Sequence, residues 1–307
     1  MTKVLVATEK PFAPAAVDQI KKIADQAGFI VMMLEKYTNQ ADLLTVVEEA
    51  DAMIVRSDKV DAAVLDAAKH LKIVVRAGAG YDNVDLEAAT AHNVVVMNTP
   101  GQNSNAVAEL AIGMMIFNAR NGFNGKAGSE LKDKKLGIHA YGNVGKRVAD
   151  LARGFGMEIF AYDPFIPRET IEADGVVCVD SVEELYRNSN YVSLHIPANE
   201  QTKQSVNYSL LSSMLSPAIL VNTARKEVVN ETDLMKVMEE RPDFSYLSDI
   251  KPDNAAELEE KFPGRCFFTP KKMGAQTAEA NLNAGVAAIR QIVAFINDGD
   301  TTFQVNK

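Results

Sequence analysis

Lys135-Leu136-Gly137-Ile138-His139-Ala140-Tyr141-Gly142-Asn143-Val144-Gly145-Lys146-Arg147-Val148-Ala149 decides the fold, because it reads as a short strand, a tight glycine turn and the opening of a helix. Leu136 and Ile138 start the strand, and Gly142 and Gly145 take the last two glycine positions of G-x-G-x-x-G. Val148, Ala149, Leu151 and Ala152 begin the helix. A pyrophosphate needs backbone N–H groups with no Cβ in the way, followed by the positive end of a helix dipole. Met157 to Asp163 reads as a second strand, ending in an acid 18 residues past Gly145. An Asp there accepts hydrogen bonds from a ribose and repels a 2′-phosphate, so the pattern predicts NAD rather than NADP. Ala140 stands where the first glycine belongs, which is expected to tighten the turn and push the cofactor outward.

A chain of 307 residues is longer than one core usually grows, so two lobes are expected. The net charge of −9 argues against nucleic acid and anionic membranes as general partners, and a phosphorylated ligand would need a local basic site. Cys178 and Cys266 offer neither a disulfide framework nor metal-ligand spacing, and read as buried structural thiols of a reducing compartment. The chain enters a strand at Val4 without a signal-peptide pattern, and no apolar run reaches the roughly 18 residues of a membrane span. A cytoplasmic protein is expected.

Strands and amphipathic helices alternate from residue 4 onward, which predicts an α/β fold of two doubly wound parallel-sheet lobes. The five-strand set ending at Val94–Met97 makes a flavodoxin-like lobe, and the fingerprint opens a Rossmann lobe. The divisions expected are 1–98 with 281–307 for a substrate-binding domain and 99–280 for the NAD-binding domain. The last helix, about Ala278 to Asn297, is expected to return to the first lobe, with Phe303 to Val305 adding a strand or lying across it. The helix from about Asn105 to Asn118 is apolar on nearly every face, so it is expected to be buried all round, between lobes or subunits. The site is expected in the cleft between the lobes.

Hydride transfer from a hydroxy acid needs a base for the hydroxyl proton, a cation for the carboxylate and a group that orients the base. Val221-Asn222-Thr223-Ala224-Arg225 is a strand that runs into an arginine able to fork a carboxylate. Ser248-Asp249 and Thr269-Pro270-Lys271-Lys272 close two later strands.

The stretches Arg76 to Asp85, Asn98 to Ser104, Val107 to Leu110, Ser193 to Pro197, Val221 to Arg225 and Gly274 to Ala280 resemble, in order, the signatures of the D-isomer-specific 2-hydroxy-acid dehydrogenases. RAGAGYDNVD and Val55-Arg56-Ser57 are most similar to the branch acting on 3-phosphoglycerate, in its short form. The resemblance implies NAD-dependent oxidation of 3-phospho-D-glycerate to 3-phosphohydroxypyruvate, the first step of serine biosynthesis, by a homodimer. It makes Arg225 the catalytic, carboxylate-holding arginine. It puts the substrate carboxylate on the backbone around Ala79 and Gly80 near Asn103, and a distal phosphate on Arg56, Ser57 and Lys59. It sets Tyr141, Gly142, Asn143, Val144, Gly145, Asp163, His195, Pro197, Thr202, Thr223, Ala224, Asp249 and Gly274 around the cofactor.

Two departures stand out. The family's base is a histidine directly after Thr-Pro, paired with a glutamate five residues past the Asp. Here Lys271 follows Pro270 and Asn254 lies five past Asp249, while counting back from Gly274 makes Lys272 the equivalent instead. A carboxylate beside lysine would hold it protonated, and neutral Asn removes that obstacle. A lysine, ordinarily near about 10.4, must fall by roughly 3 units, about 4 kcal/mol, to act near neutral pH. Lysine is therefore expected to replace histidine as acid/base, Lys271 being taken first and Lys272 as its alternative. Two rival readings are an unphosphorylated 2-hydroxy acid as substrate and a catalytically silent NAD-binding sensor. The second is motivated by the missing pair, Ala140 and Lys226, which follows the arginine where the family has glycine.

Overall fold

Runs such as Val4 to Ala7 and Ala52 to Val55 are apolar at both parities, which suits strands covered on both faces. The computed structural model describes residues 1–307 and divides into two compact units, 1–103 with 276–307 and 104–275. In the first unit β1 (Lys3–Thr8), α1 (Pro14–Gln26), β2 (Ile30–Glu35), α2 (Gln40–Val47) and β3 (Ala52–Val55) are followed by α3 (Ala62–Ala67), β4 (Ile73–Arg76), α4 (Leu86–Ala91) and β5 (Val95–Asn98). The strands are parallel in the order β2-β1-β3-β4-β5, the flavodoxin-like arrangement.

The second unit contains α5 (Ser104–Ala119), β6 (Lys135–His139), α6 (Asn143–Gly154), β7 (Glu158–Tyr162), α7 (Arg168–Ala173), β8 (Val177–Cys178) and α8 (Val182–Arg187). It continues with β9 (Tyr191–Leu194), α9 (Tyr208–Ser212), β10 (Ala218–Asn222), α10 (Glu231–Glu240), β11 (Phe244–Ser248), α11 (Ala255–Lys261) and β12 (Cys266–Phe268). All seven strands are parallel in the order β12-β11-β10-β9-β6-β7-β8, which is the Rossmann order with one strand added at the far edge.

The last helix, α12 (Ala278–Asp298), belongs to the first unit. Its Ala284, Ala288, Ile289 and Ile292 are buried with Val4, Val6, Ile54, Ile73 and Val75 on one sheet face, while Leu43, Val47, Val64 and Leu65 help to cover the other. The tail extends that sheet by a single antiparallel bridge, Gln304 to Met97, and the Asn306 side chain completes the edge by accepting from Val96 N–H and donating to Val94 C=O.

Several expectations change. The units divide at 103/104 and 275/276 rather than 98/99 and 280/281, because Thr99 N–H bonds Gly78 C=O and so keeps the segment after β5 with the first sheet. α5 is not buried all round: Asn105, Glu109 and Gly113 form an exposed stripe along it. Cys178 and Cys266 are only half-buried, because they lie on the two edge strands of the second sheet. α7 and α11 are helices that the sequence reading does not include. No helix is long and apolar enough to cross a membrane.

Candidate functional site

A parallel sheet holds ligands outside the C-terminal ends of its strands, at the point where strand order reverses. In the second unit that point lies between β6 and β9. There His139 runs into Ala140, which adopts a positive φ of 81°. Gly142 caps the N-terminus of α6 with no side chain on the cap and open space beside it. A Cβ on Gly145 would lie 2.4 Å from the Ala140 carbonyl oxygen, so only glycine lets α6 approach the turn this closely. Asn143 is exposed and Val144 half-buried at the same turn.

Tyr141 departs from expectation. Its ring is fully buried and its hydroxyl donates to Asp174 at 3.2 Å, so it is a core residue whose side chain cannot meet a cofactor. Its N–H instead donates to Asp163 Oδ2 at 2.8 Å, while Phe165 N–H donates to Oδ1 at 2.8 Å. Asp163 is thereby held rigidly at the end of β7, each oxygen keeping a lone pair for a ribose hydroxyl.

At the end of β9, His195 N–H bonds His139 C=O at 2.9 Å. Burial lowers the imidazole pKa of His139 to about 4 and that of His195 to about 3, and His139 adds repulsion to His195. Pro197 and Thr202 close the next turn, with the Thr202 hydroxyl donating to Pro197 C=O at 2.5 Å. His195 Nε2, Thr223 Oγ1 and Asp249 Oδ1 are buried without a partner at the ends of β9, β10 and β11. A dinucleotide fits this edge: a glycine cradle that a Cβ would fill, a fixed terminal Asp, and orphaned polar atoms.

The end of β10 is shaped by Asn222. Its Oδ1 accepts Ala224 N–H at 2.9 Å and its Nδ2 donates to Arg225 C=O at 2.9 Å, so one buried side chain brackets the turn that presents Arg225. Arg225 Nη1 lies 3.0 Å from the Ala224 carbonyl oxygen, and Lys272 Nζ lies 3.2 Å from the same oxygen. Asp249 is fully buried beside them, with Oδ2 accepting Gly274 N–H at 2.9 Å. Burial raises its pKa, opposed by the Gly274 hydrogen bond and by the charges of Lys272 and Arg225. Lys271 and Lys272 are both exposed residues, and the Lys271 carbonyl accepts from the Thr269 hydroxyl at 2.8 Å. Asn254 is engaged elsewhere, its N–H donating to Glu231 at 3.1 Å, while the charges of Asp249 and Lys272 act on each other. Lys226 pairs with Asp253.

In the first unit strand order reverses between β1 and β3. Arg56 is half-buried there, with Nη1 donating to Lys10 and Pro11 carbonyls at 3.0 and 3.2 Å and its plane 5.3 Å from the Phe12 ring centre. Ser57 is exposed beside it, whereas Lys59 is 76% exposed and paired with Asp61, the cap of α3. After β4, Asn98 Nδ2 holds the Ala79 carbonyl at 2.6 Å, and no backbone hydrogen bond starts from the N–H of Ala79 or Gly80. Asn103 is half-buried at the end of the unit. Asn222 is the site-shaping residue that sequence reasoning passed over. For Asn222 a signal existed, an Asn closing an apolar strand just before a turn.

Residues 112–265 match the family model for the NAD binding domain of D-isomer specific 2-hydroxyacid dehydrogenase. A D-3-phosphoglycerate dehydrogenase of Methanocaldococcus jannaschii is 34% identical over 82% of this chain and 51% of its own length. A hydroxypyruvate reductase of Thermotoga maritima is 33% identical over 84% of this chain and 88% of its own length. The chain thus spans about half the length of the curated phosphoglycerate dehydrogenase it matches. A crystal structure of NAD+-bound 3-phosphoglycerate dehydrogenase from Entamoeba histolytica superposes with a TM-score of 0.90 at 48% identity, covering 100% of this chain and 99% of that one. The chain belongs to the D-isomer-specific 2-hydroxyacid dehydrogenase family, and its cofactor is NAD.

Proposed function

We propose that this NAD-dependent 2-hydroxyacid dehydrogenase oxidises 3-phospho-D-glycerate to 3-phosphohydroxypyruvate, with Lys272 rather than Lys271 as acid/base. The observation that carries the mechanism is the Ala224 carbonyl, on which the side chains of Arg225 and Lys272 converge at 3.0 and 3.2 Å. Arg225 forks the substrate carboxylate and polarises the carbonyl that forms at C2. Lys272, as the neutral amine, takes the proton of the C2 hydroxyl. The Arg225 guanidinium, converging on the same carbonyl, is the charge beside the amine that favours that neutral form. Bound NAD supplies the acceptor for the hydride leaving C2. Support for a phosphorylated substrate comes from Arg56 and Ser57 at the first unit's reversal point, and from the 48% identity to the Entamoeba histolytica enzyme.

The test is NADH formation from 3-phosphoglycerate by the wild type, Lys272→Ala and Lys271→Ala. Lys272→Ala is expected to lose at least about a hundredfold in kcat, the usual contribution of a positioned acid/base, while Lys271→Ala stays within about threefold. The reverse order of losses would transfer the role to Lys271. A second reading, an unphosphorylated substrate such as hydroxypyruvate, is favoured by the diversion of Lys59 to Asp61 and by the hydroxypyruvate reductase likeness. Arg56→Lys removes the guanidinium fork, so it should raise KM for a phosphorylated substrate by about tenfold if the first reading holds. The protein is further proposed to pair with a second copy through the exposed stripe of α5.

A further inference from the structure

We propose that Asp58 is the positioning residue for the phosphate end of the substrate, an inference that rests on the phosphorylated-substrate reading above. It sits in the loop that leaves β3 at the reversal point of the first sheet, and it is only 2% exposed. Its Oδ1 accepts from Glu9 N–H at 2.6 Å and from the Tyr37 hydroxyl at 2.9 Å, and its Oδ2 accepts from Arg56 N–H at 3.2 Å. Its carbonyl accepts from Asn83 Nδ2 at 2.6 Å. One side chain therefore ties together the loops that follow β1, β2 and β3, and its backbone is tied to the loop after β4.

Those partners explain why an acid is compatible with an anion site. Each oxygen is filled by neutral donors, and the Arg56 guanidinium adds its charge from nearby rather than through a bond to the carboxylate. The guanidinium is oriented from its other side: Nη1 uses both of its protons on the Lys10 and Pro11 carbonyls, and the plane rests over Phe12. That leaves the Nε–Nη2 edge, which presents two parallel N–H groups to an oxyanion. Asp58 holds Glu9, next to Lys10, and the Arg56 backbone as well, so it fixes both partners of the contact that aims the edge. Ser57, exposed between Arg56 and Asp58, is carried by the same clamp.

The experiment compares KM for 3-phosphohydroxypyruvate and hydroxypyruvate, which differ only in the phosphate, during NADH-dependent reduction by wild type, Asp58→Ala, Asp58→Asn and Tyr37→Phe. Asp58→Ala is expected to raise the ratio of the two KM values by about tenfold, and to raise the inhibition constant of inorganic phosphate in step. Asp58→Asn keeps an acceptor for Glu9 and Tyr37 but turns an NH2 toward the Arg56 N–H, so about half of the logarithmic effect is expected. Tyr37→Phe deletes a single bond and should move the ratio by about threefold, which keeps the test decisive if Asp58→Ala does not fold. A ratio that stays within about twofold in the folded variants, or two KM values that rise together, would overturn the role of Asp58. A wild type with no preference for the phosphorylated acid and no inhibition by inorganic phosphate would instead overturn the substrate reading, and this inference with it.

Discussion

His139 ends β6 and Ala140 opens the turn on which the second unit is built, the first set apart by its burial and the second by its backbone. Ala140 sits at φ 81°, in the left-handed region that costs an L-residue about 1–2 kcal/mol, because α6 must start directly over β6. Ala140→Gly removes that cost and returns some unfolded-state entropy, so a net gain of about 0.5–1 kcal/mol is expected, measured as a rise in Tm. Gly145→Ala should have the opposite outcome, loss of NAD binding in a titration of cofactor fluorescence, since its Cβ would meet the Ala140 carbonyl oxygen at 2.4 Å. The histidines set an acid limit. The native pKa values of His139 and His195 are about 4 and about 3, below the ordinary 6.5, so the unfolded chain binds more protons than the native one as pH falls below 6.5. Their contribution is complete above pH 6.5 and is lost on acidification toward pH 4, with a slope approaching about 2.7 kcal/mol per pH unit for two protons. Urea midpoints between these pH values check this, and His139→Gln should roughly halve the slope that the pair contributes.

At the scale of elements, α12 covers one face of the first sheet although it arrives last. It lies close against α1, where a Cβ on Gly285 would come within 3.1 Å of Ile20 and 3.3 Å of Phe12. Ile289 and Ile292 are fully buried in the sheet face it covers. Ile289→Ala should cost about 2–5 kcal/mol in a denaturant titration, because the rigid sheet below cannot collapse into the space. An outcome below about 1 kcal/mol would mean that the helix is not integral to that core. On β10, Asn222 plays the corresponding part for the site, since its two bonds shape the turn carrying Arg225.

For the whole molecule, two parallel sheets each reverse strand order once, and every candidate site residue on the loops gathers near one of those reversals or along the same strand ends. Pairing through α5 carries a prediction at this scale. Leu110 is half-buried beside the exposed Glu109, so Leu110→Asp should convert the proposed dimer to monomer in sedimentation. An unchanged sedimentation coefficient would place the interface elsewhere.

The glycine turn, the terminal Asp163 and the alternation of strands and helices were legible because each rests on local chemistry: period, turn residues and helix-end polarity lie within a few neighbours. The fold class and NAD followed from that level, and the family from the resemblance of six stretches between Arg76 and Ala280. Tertiary structure decided what depends on distant partners. Tyr141 became core because Asp163, 22 positions away, takes its N–H and Asp174 takes its hydroxyl. Lys272 came to lie on the Ala224 carbonyl across 48 positions, and Asp58 found Glu9 across 49, pairings that no spacing in the sequence encodes. The physical reason is the parallel sheet itself, whose crossovers bring the ends of strands far apart in sequence to one edge.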